Sequence, residues 1–97
     1  MQITVRYLSI IREITGRREE IVKARKGSTV EDLIGILIDK YGEAFRRISL
    51  SGRERRGLQI VYFLNGQNIK ALDDFKTKIP GVSELVIIPP VAGGCGG

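Results

Sequence analysis

The chain of 97 residues contains no histidine. That absence excludes Ser-His-Asp and Cys-His catalysis within the chain and removes the commonest metal ligand. Cys95 is the only cysteine, which excludes an internal disulfide framework and any multi-cysteine zinc site. No apolar run approaches the length needed to span a bilayer. The opening Met1-Gln2-Ile3-Thr4-Val5-Arg6 lacks the basic and then apolar layout of a signal peptide. These absences lead to the expectation of a cytoplasmic protein that binds no membrane. Internal repeats, linkers and low-complexity tracts are absent too, apart from a glycine-rich end. The length suits one domain with one modest core. The formal net charge of +5 makes acidic partners plausible, either nucleic acid or an acidic protein surface.

The patterned segments begin at once. Ile3, Val5 and Tyr7 alternate with polar neighbours, the period of a half-buried strand. Leu8 to Ile14 drops the alternation and predicts a short helical turn, closed by Thr15-Gly16. A second strand is expected from about Arg18 to Ala24, with Val22 and Ala24 inward and Lys23 outward, followed by a polar turn at Arg25-Lys26-Gly27. Ser28 and Glu31 read as a capping box. Val30, Leu33, Ile34, Leu37, Ile38 and Tyr41 then form one helical face, predicting a helix over about 29–41. Glu31 and Asp32 in its first turn and Lys40 in its last suit the helix dipole, and Gly42 is a natural terminator. Gly35 in mid-helix suggests close packing against a neighbour.

From Glu43 to Gly57 the pattern weakens, and this stretch reads as a loop. Arg46, Arg47, Arg53, Arg55 and Arg56 cluster there. They are either an electrostatic patch for phosphates or the solvated face of a mobile segment. No aromatic residue interleaves them, so a platform for stacking single-stranded bases is not supported. Gln59 to Leu64 reads as a buried strand. Asn65-Gly66 is a strong hairpin signal, and Gln67 to Leu72 is expected to return as a short strand. Asp73-Asp74 would cap a turn containing Phe75, and Pro80-Gly81 is another turn. Glu84 to Ile88, apolar on both faces, predicts a central strand. With one helix of useful length, the simplest architecture is α+β. That helix would lie across one face of a mixed sheet of four to five strands.

The last residues are unlike the rest. Pro89 and Pro90 fix φ and favour a stiff, extended exit. Val91 and Ala92 follow, and Gly93, Gly94, Gly96 and Gly97 then strip side chains from nearly all of the end. Fully extended, the segment after Pro90 would reach roughly 23 Å. It is either a frayed terminus or a thin presented tail, which divides the chain into a domain over 1–90 and a tail over 91–97. A terminal carboxylate becomes an electrophile once another enzyme adenylates it. That chemistry needs a terminus that threads into a remote active site and carries no Cβ at the reacting residue, and a Gly-Gly end satisfies both demands.

Other candidates for chemistry have simpler explanations. Glu19 and Glu20 are adjacent on a strand and point to opposite faces. Glu31-Asp32 and Asp73-Asp74 are accounted for by capping. Cys95 could act as a nucleophilic thiolate, but nothing in the sequence supplies a general base or a fixed cation beside it, and the simpler reading is an incidental tail thiol.

The order of elements resembles a β-grasp, the ubiquitin-like fold. Leu85-Val86-Ile87-Ile88-Pro89-Pro90-Val91-Ala92-Gly93-Gly94 resembles the end of the ubiquitin-like sulfur carriers, most closely the MoaD-like small subunits of molybdopterin synthase. The likeness includes the helix start Gly27-Ser28-Thr29-Val30-Glu31-Asp32-Leu33 and the run Phe63-Leu64-Asn65-Gly66. The resemblance implies that a ubiquitin-activating-type enzyme adenylates the terminal glycine with ATP and that the glycine then becomes a thiocarboxylate. It implies further that the tail enters the large synthase subunit, where sulfur passes to a pterin precursor. No cofactor is expected on the chain itself; the partner enzyme uses the ATP.

Two departures stand out. Cys95-Gly96-Gly97 follows the Gly93-Gly94 pair at which relatives end, and the 43–57 segment is long for a compact carrier. Gly97 is favoured as the reacting residue, with Gly94 as the alternative if a protease trims the chain. Three other functions share some of these features. One is a modifier joined to lysines of target proteins. Another is a carrier for thiamine synthesis or tRNA thiolation, against which the Pro-Pro-Val-Ala-Gly-Gly run argues. The third is a basic nucleic-acid-binding β-grasp module, for which the arginines above would be the contact.

Overall fold

A computed structural model describes residues 1–54 and 60–89, with 50–54 described by backbone alone. Alternation is realised directly in β1 (Gln2–Tyr7), where Ile3, Val5 and Tyr7 are buried and Gln2 and Arg6 face solvent. A six-residue helix, α1 (Ile10–Thr15), follows and ends on Gly16, whose φ of 77° is the left-handed conformation that glycine adopts without strain. Next come β2 (Glu19–Lys23), α2 (Val30–Tyr41), α3 (Glu43–Glu54), β3 (Val61–Leu64), β4 (Gln67–Asn68) and β5 (Ser83–Ile88). Two 3₁₀ turns, Ile69–Ala71 and Asp74–Lys76, separate β4 from β5.

The five strands form one sheet in the order β2-β1-β5-β3-β4, parallel between β1 and β5 and antiparallel elsewhere. β5 is central, as its apolar composition predicts. Registers bring Ile3 opposite Val22, Val5 opposite Leu85, and Ile87 opposite both Tyr7 and Tyr62, so one sheet face is continuous core. α2 covers it with Val30, Leu33, Ile34 and Leu37, all buried. Burying such side chains contributes about 1.5–3 kcal/mol each. The fold is the expected ubiquitin-like β-grasp. At the β3–β4 turn, Asn65 and Gly66 both have positive φ (50° and 85°), the conformation a two-residue hairpin turn demands.

Five local expectations are corrected. The capping box of α2 is Thr29 and Asp32, one residue along from Ser28 and Glu31. Thr29 Oγ1 accepts from the Asp32 N–H at 3.2 Å, and the Asp32 carboxylate accepts from the Thr29 N–H at 3.0 Å. Ser28 is buried, and its carbonyl accepts from the Ile79 N–H at 2.9 Å, so the chain cannot turn into the helix until Thr29. Gly35 is not a close-packing site: it faces solvent, and a Cβ there would meet nothing within 4 Å.

The third correction is the largest. Glu43–Glu54 is a second full-length helix rather than a loop. α3 buries Phe45 and Ser49 and half-buries Ile48, spacings of three and four that mark one helical face. The Phe45 ring stacks on Tyr41 with centroids 6.0 Å apart, and Ser49 Oγ donates to the Arg46 carbonyl at 3.1 Å, satisfying the buried hydroxyl. Finally, the return strand stops at Asn68. The Asn68 side chain accepts from the Lys70 N–H at 2.9 Å, which turns the chain into 3₁₀ geometry and buries Ile69. The Asp73 side chain makes no capping hydrogen bond. Its N–H donates instead to Thr77 Oγ1 at 2.9 Å.

Candidate functional site

The candidate site is the end of β5. This strand is hydrogen-bonded on both sides, parallel to β1 and antiparallel to β3, through Ile87 and Ile88. Pro89 follows and is buried. Proline offers no N–H, so it cannot extend the ladder and ends the strand where the sheet ends. The chain is thus held to its last paired residue by a rigid core. Pro90, Val91, Ala92, Gly93, Gly94, Cys95, Gly96 and Gly97 lie outside the described residues, and so does the expected division of the chain at residue 90.

Behind this strand end lies a polar cluster that the sequence reading did not single out. Glu20, on the inward phase of β2, has a side chain only 4 % exposed. Its carboxylate accepts hydrogen bonds from the Tyr7 and Tyr41 hydroxyls and from Lys40 Nζ, and Arg17 stands 3.6 Å away. Burial by itself pushes the Glu20 carboxyl up. The hydrogen bonds from Lys40, Tyr41 and Tyr7 outweigh it and hold the group below the usual glutamate range. Burial and then the Glu20 carboxylate raise both tyrosines, and the hydrogen bond to Glu20 raises Lys40. The Tyr7 and Tyr41 rings meet edge to face at 6.2 Å. The cluster therefore locks the last residue of β1, beside Ile87, to β2 and to the end of α2. One signal was available in the sequence: Glu20 shares the inward parity of Val22 and Ala24, and a buried carboxylate requires partners.

The remaining candidates do not converge. Glu19 is exposed and pairs with Arg6 at 3.1 Å, on the opposite face from Glu20. Arg46 and Arg47 are exposed on α3, with Arg46 3.5 Å from Glu43. The side chains of Arg53, Arg55 and Arg56 lie outside the described residues. Among the described residues no group of histidine, cysteine, aspartate or glutamate could hold a metal ion, and no helix is long and apolar enough to cross a membrane. The open sheet face carries Val61, Phe63, Val86 and Ile88, half-buried and adjacent by register, with Val61 opposite Ile88 and Phe63 opposite Val86.

The model of the ThiS family matches residues 5–94. The chain belongs to the ThiS family. Its members are ubiquitin-like β-grasp sulfur carriers, a group that includes the MoaD-like proteins. The family match takes in Gly93-Gly94 and stops before Cys95-Gly96-Gly97. The chain is 24 % identical over 94 residues to Small archaeal modifier protein 3 of Haloferax volcanii, covering 97 % of this chain and all of that one. Small archaeal modifier protein 1 from Methanosarcina acetivorans superposes with a TM-score of 0.76 at 28 % identity, over 96 % of each chain. A Pyrococcus furiosus protein assigned as molybdopterin converting factor subunit 1 superposes at 0.73 with 20 % identity, over 94 % of this chain and 99 % of that one. The last likeness bears on the fold. The ThiS family match carries the assignment to ubiquitin-like sulfur carriers and modifiers.

Proposed function

We propose that this chain is the small, sulfur-carrying subunit of a molybdopterin synthase. The observation that carries the reading is the end of β5. A central strand, paired on both sides through Ile87, runs straight into Pro89-Pro90-Val91-Ala92-Gly93-Gly94. A rigid base with a side-chain-free end is what a remote active site needs in order to take hold of a carboxylate.

The chemistry begins with a partner of the ubiquitin-activating type. The terminal carboxylate attacks the α-phosphate of ATP, pyrophosphate leaves, and an acyl adenylate forms. A sulfide sulfur then adds to the carbonyl carbon and AMP departs with the bonding electrons, leaving a thiocarboxylate. The large synthase subunit receives the tail over 91–97, and the sulfur passes to a pterin precursor. The chain contributes no acid, base or cofactor to these steps. It supplies reach and the absence of a Cβ at the reacting residue. Gly97 is the favoured acceptor as the sequence is written, and Gly94 becomes the acceptor if Cys95-Gly96-Gly97 is trimmed. The setting is the cytoplasm, where the ATP-dependent partner works.

A second reading fits equally well, that of a protein modifier whose activated glycine is joined to lysine Nζ of target proteins. The end-to-end likeness to Small archaeal modifier protein 3 favours it. Intact mass spectrometry of the protein purified from its own cells tests both readings. The carrier reading expects one oxygen exchanged for sulfur at the terminus. Lysine isopeptides to other proteins with no sulfur-bearing form would replace it with the modifier reading. Neither species in cells making the cofactor would overturn the proposal.

A further inference from the structure

Four arginines, Arg6, Arg12, Arg17 and Arg18, surround the turn between α1 and β2. They line two neighbouring hollows, of about 570 and 420 Å³, that share Arg12 and Arg18 as their common wall. Two of the four are engaged within the chain: Arg6 with Glu19 and Glu84, and Arg17 with Glu20. Arg12 and Arg18 have no carboxylate partner among the described residues. Their backbones are nonetheless fixed. The Arg12 carbonyl accepts from the Gly16 N–H at 2.8 Å, and the Arg18 carbonyl accepts from the Tyr7 N–H at 2.8 Å. Two guanidinium groups without a carboxylate partner among the described residues, carried on an anchored backbone, offer donors suited to carboxylates.

The position of the groove suggests its occupant. Tyr7 lies opposite Ile87, and Arg18 is bonded to Tyr7, so the groove opens at the same end of the sheet as Pro89, about two strand spacings or 10 Å away. A protein that takes hold of the chain beyond Pro89 therefore comes within reach of this groove. We propose that the Arg12–Arg18 groove is a docking site for an acidic segment of the tail-adenylating enzyme. The proposal rests on the functional reading above and adds to it the surface that positions the carrier. A partner's discrete carboxylates suit the site better than a polyanionic strand does. Glu13 and Glu19 line the same hollows, so the positive surface is local rather than a continuous track for a phosphate backbone.

The test is steady-state adenylation of the full chain by its own adenylating enzyme, comparing wild type with Arg12→Glu/Arg18→Glu. The expected result is a KM raised at least about tenfold at low salt with kcat within about twofold, because charge pairs of this kind govern encounter and orientation. The wild-type KM should rise with ionic strength, and that of the variant should not. A control, Arg25→Glu/Lys26→Glu, makes the same charge change in the turn after β2, at the far end of the sheet, and should leave KM near wild type. Thermal melts confirm that both variants fold. A wild-type KM in the Arg12/Arg18 variant, or an equal loss in the control, overturns the groove. Salt-sensitive binding of single-stranded RNA that disappears in the same variant would also overturn it, by assigning the groove to nucleic acid. If the wild-type chain is not adenylated at all, the functional reading fails and the groove loses its occupant with it.

Discussion

The Tyr41 hydroxyl, at the last residue of α2, donates a hydrogen bond to the Glu20 carboxylate on β2, 21 residues earlier in the chain. Tyr7 and Lys40 donate to the same carboxylate. Three donors aimed at one buried carboxylate favour its ionised form. The Glu20 carboxyl is held below its ordinary value, about 4.5. Its contribution to stability is therefore fully present above that value and is lost as pH falls through the lower folded-state value. Glu20→Gln should cost about 2 kcal/mol at neutral pH, since hydrogen bonds to a charged group are replaced by weaker ones. It should also flatten the acid limb of the stability profile. Urea unfolding at neutral and acidic pH measures both, and an unchanged midpoint at neutral pH would show that the cluster adds no net stability.

Leu37 is fully buried between α2 and the sheet. Leu37→Ala should destabilise the domain by roughly 2–5 kcal/mol, the transfer loss plus the cavity left behind. Denaturant unfolding reads this directly. A loss under about half a kcal/mol would mean that the neighbours collapse into the space.

Gly35 offers the opposite case. Its position is exposed, its φ lies outside the left-handed region, and an added Cβ has open space around it. Gly35→Ala should stabilise the protein by about 0.5–1 kcal/mol, because alanine leaves the unfolded chain less freedom to lose. A fall in melting temperature would show that the helix does not accept a Cβ at this position.

The two glycine pairs separate by truncation. With the adenylating enzyme and ATP, deleting Gly96 and Gly97 should abolish adenylation, because Cys95 then bears the carboxyl and its side chain crowds the path. Deleting Cys95, Gly96 and Gly97 should be less harmful, since it restores a Gly93-Gly94 end. Three residues change the reach from Pro90 by roughly 10 Å. Cys95→Ser should be nearly silent. If the chain ending in Cys95 reacts at the full rate, the steric account is wrong. If only the chain ending in Gly94 reacts, the acceptor is Gly94.

Periodic local information was legible without coordinates. The alternation of Ile3, Val5 and Tyr7, the helical face from Val30 to Tyr41, the Asn65-Gly66 turn and the apolar run into Pro89 each follow from a short-range rule. Together they led to a helix laid across a mixed sheet and to the strand end. The two glycine pairs were legible too, being a matter of composition. What depended on distant partners was not legible. α3 mixes its apolar residues with three arginines and with Ser49, Ser51 and Gly52, and the face it buries is set by Phe45 stacking on Tyr41. The start of α2 moved to Thr29 because Ser28 is held by Ile79, 51 residues later. The Glu20 cluster joins residues 13 to 21 positions apart from three elements. The physical reason is common to all three. A strand's parity or a helix's stripe is written in neighbouring residues, whereas the energy that buries a carboxylate or holds a basic helix comes from surfaces that meet only after the chain has folded.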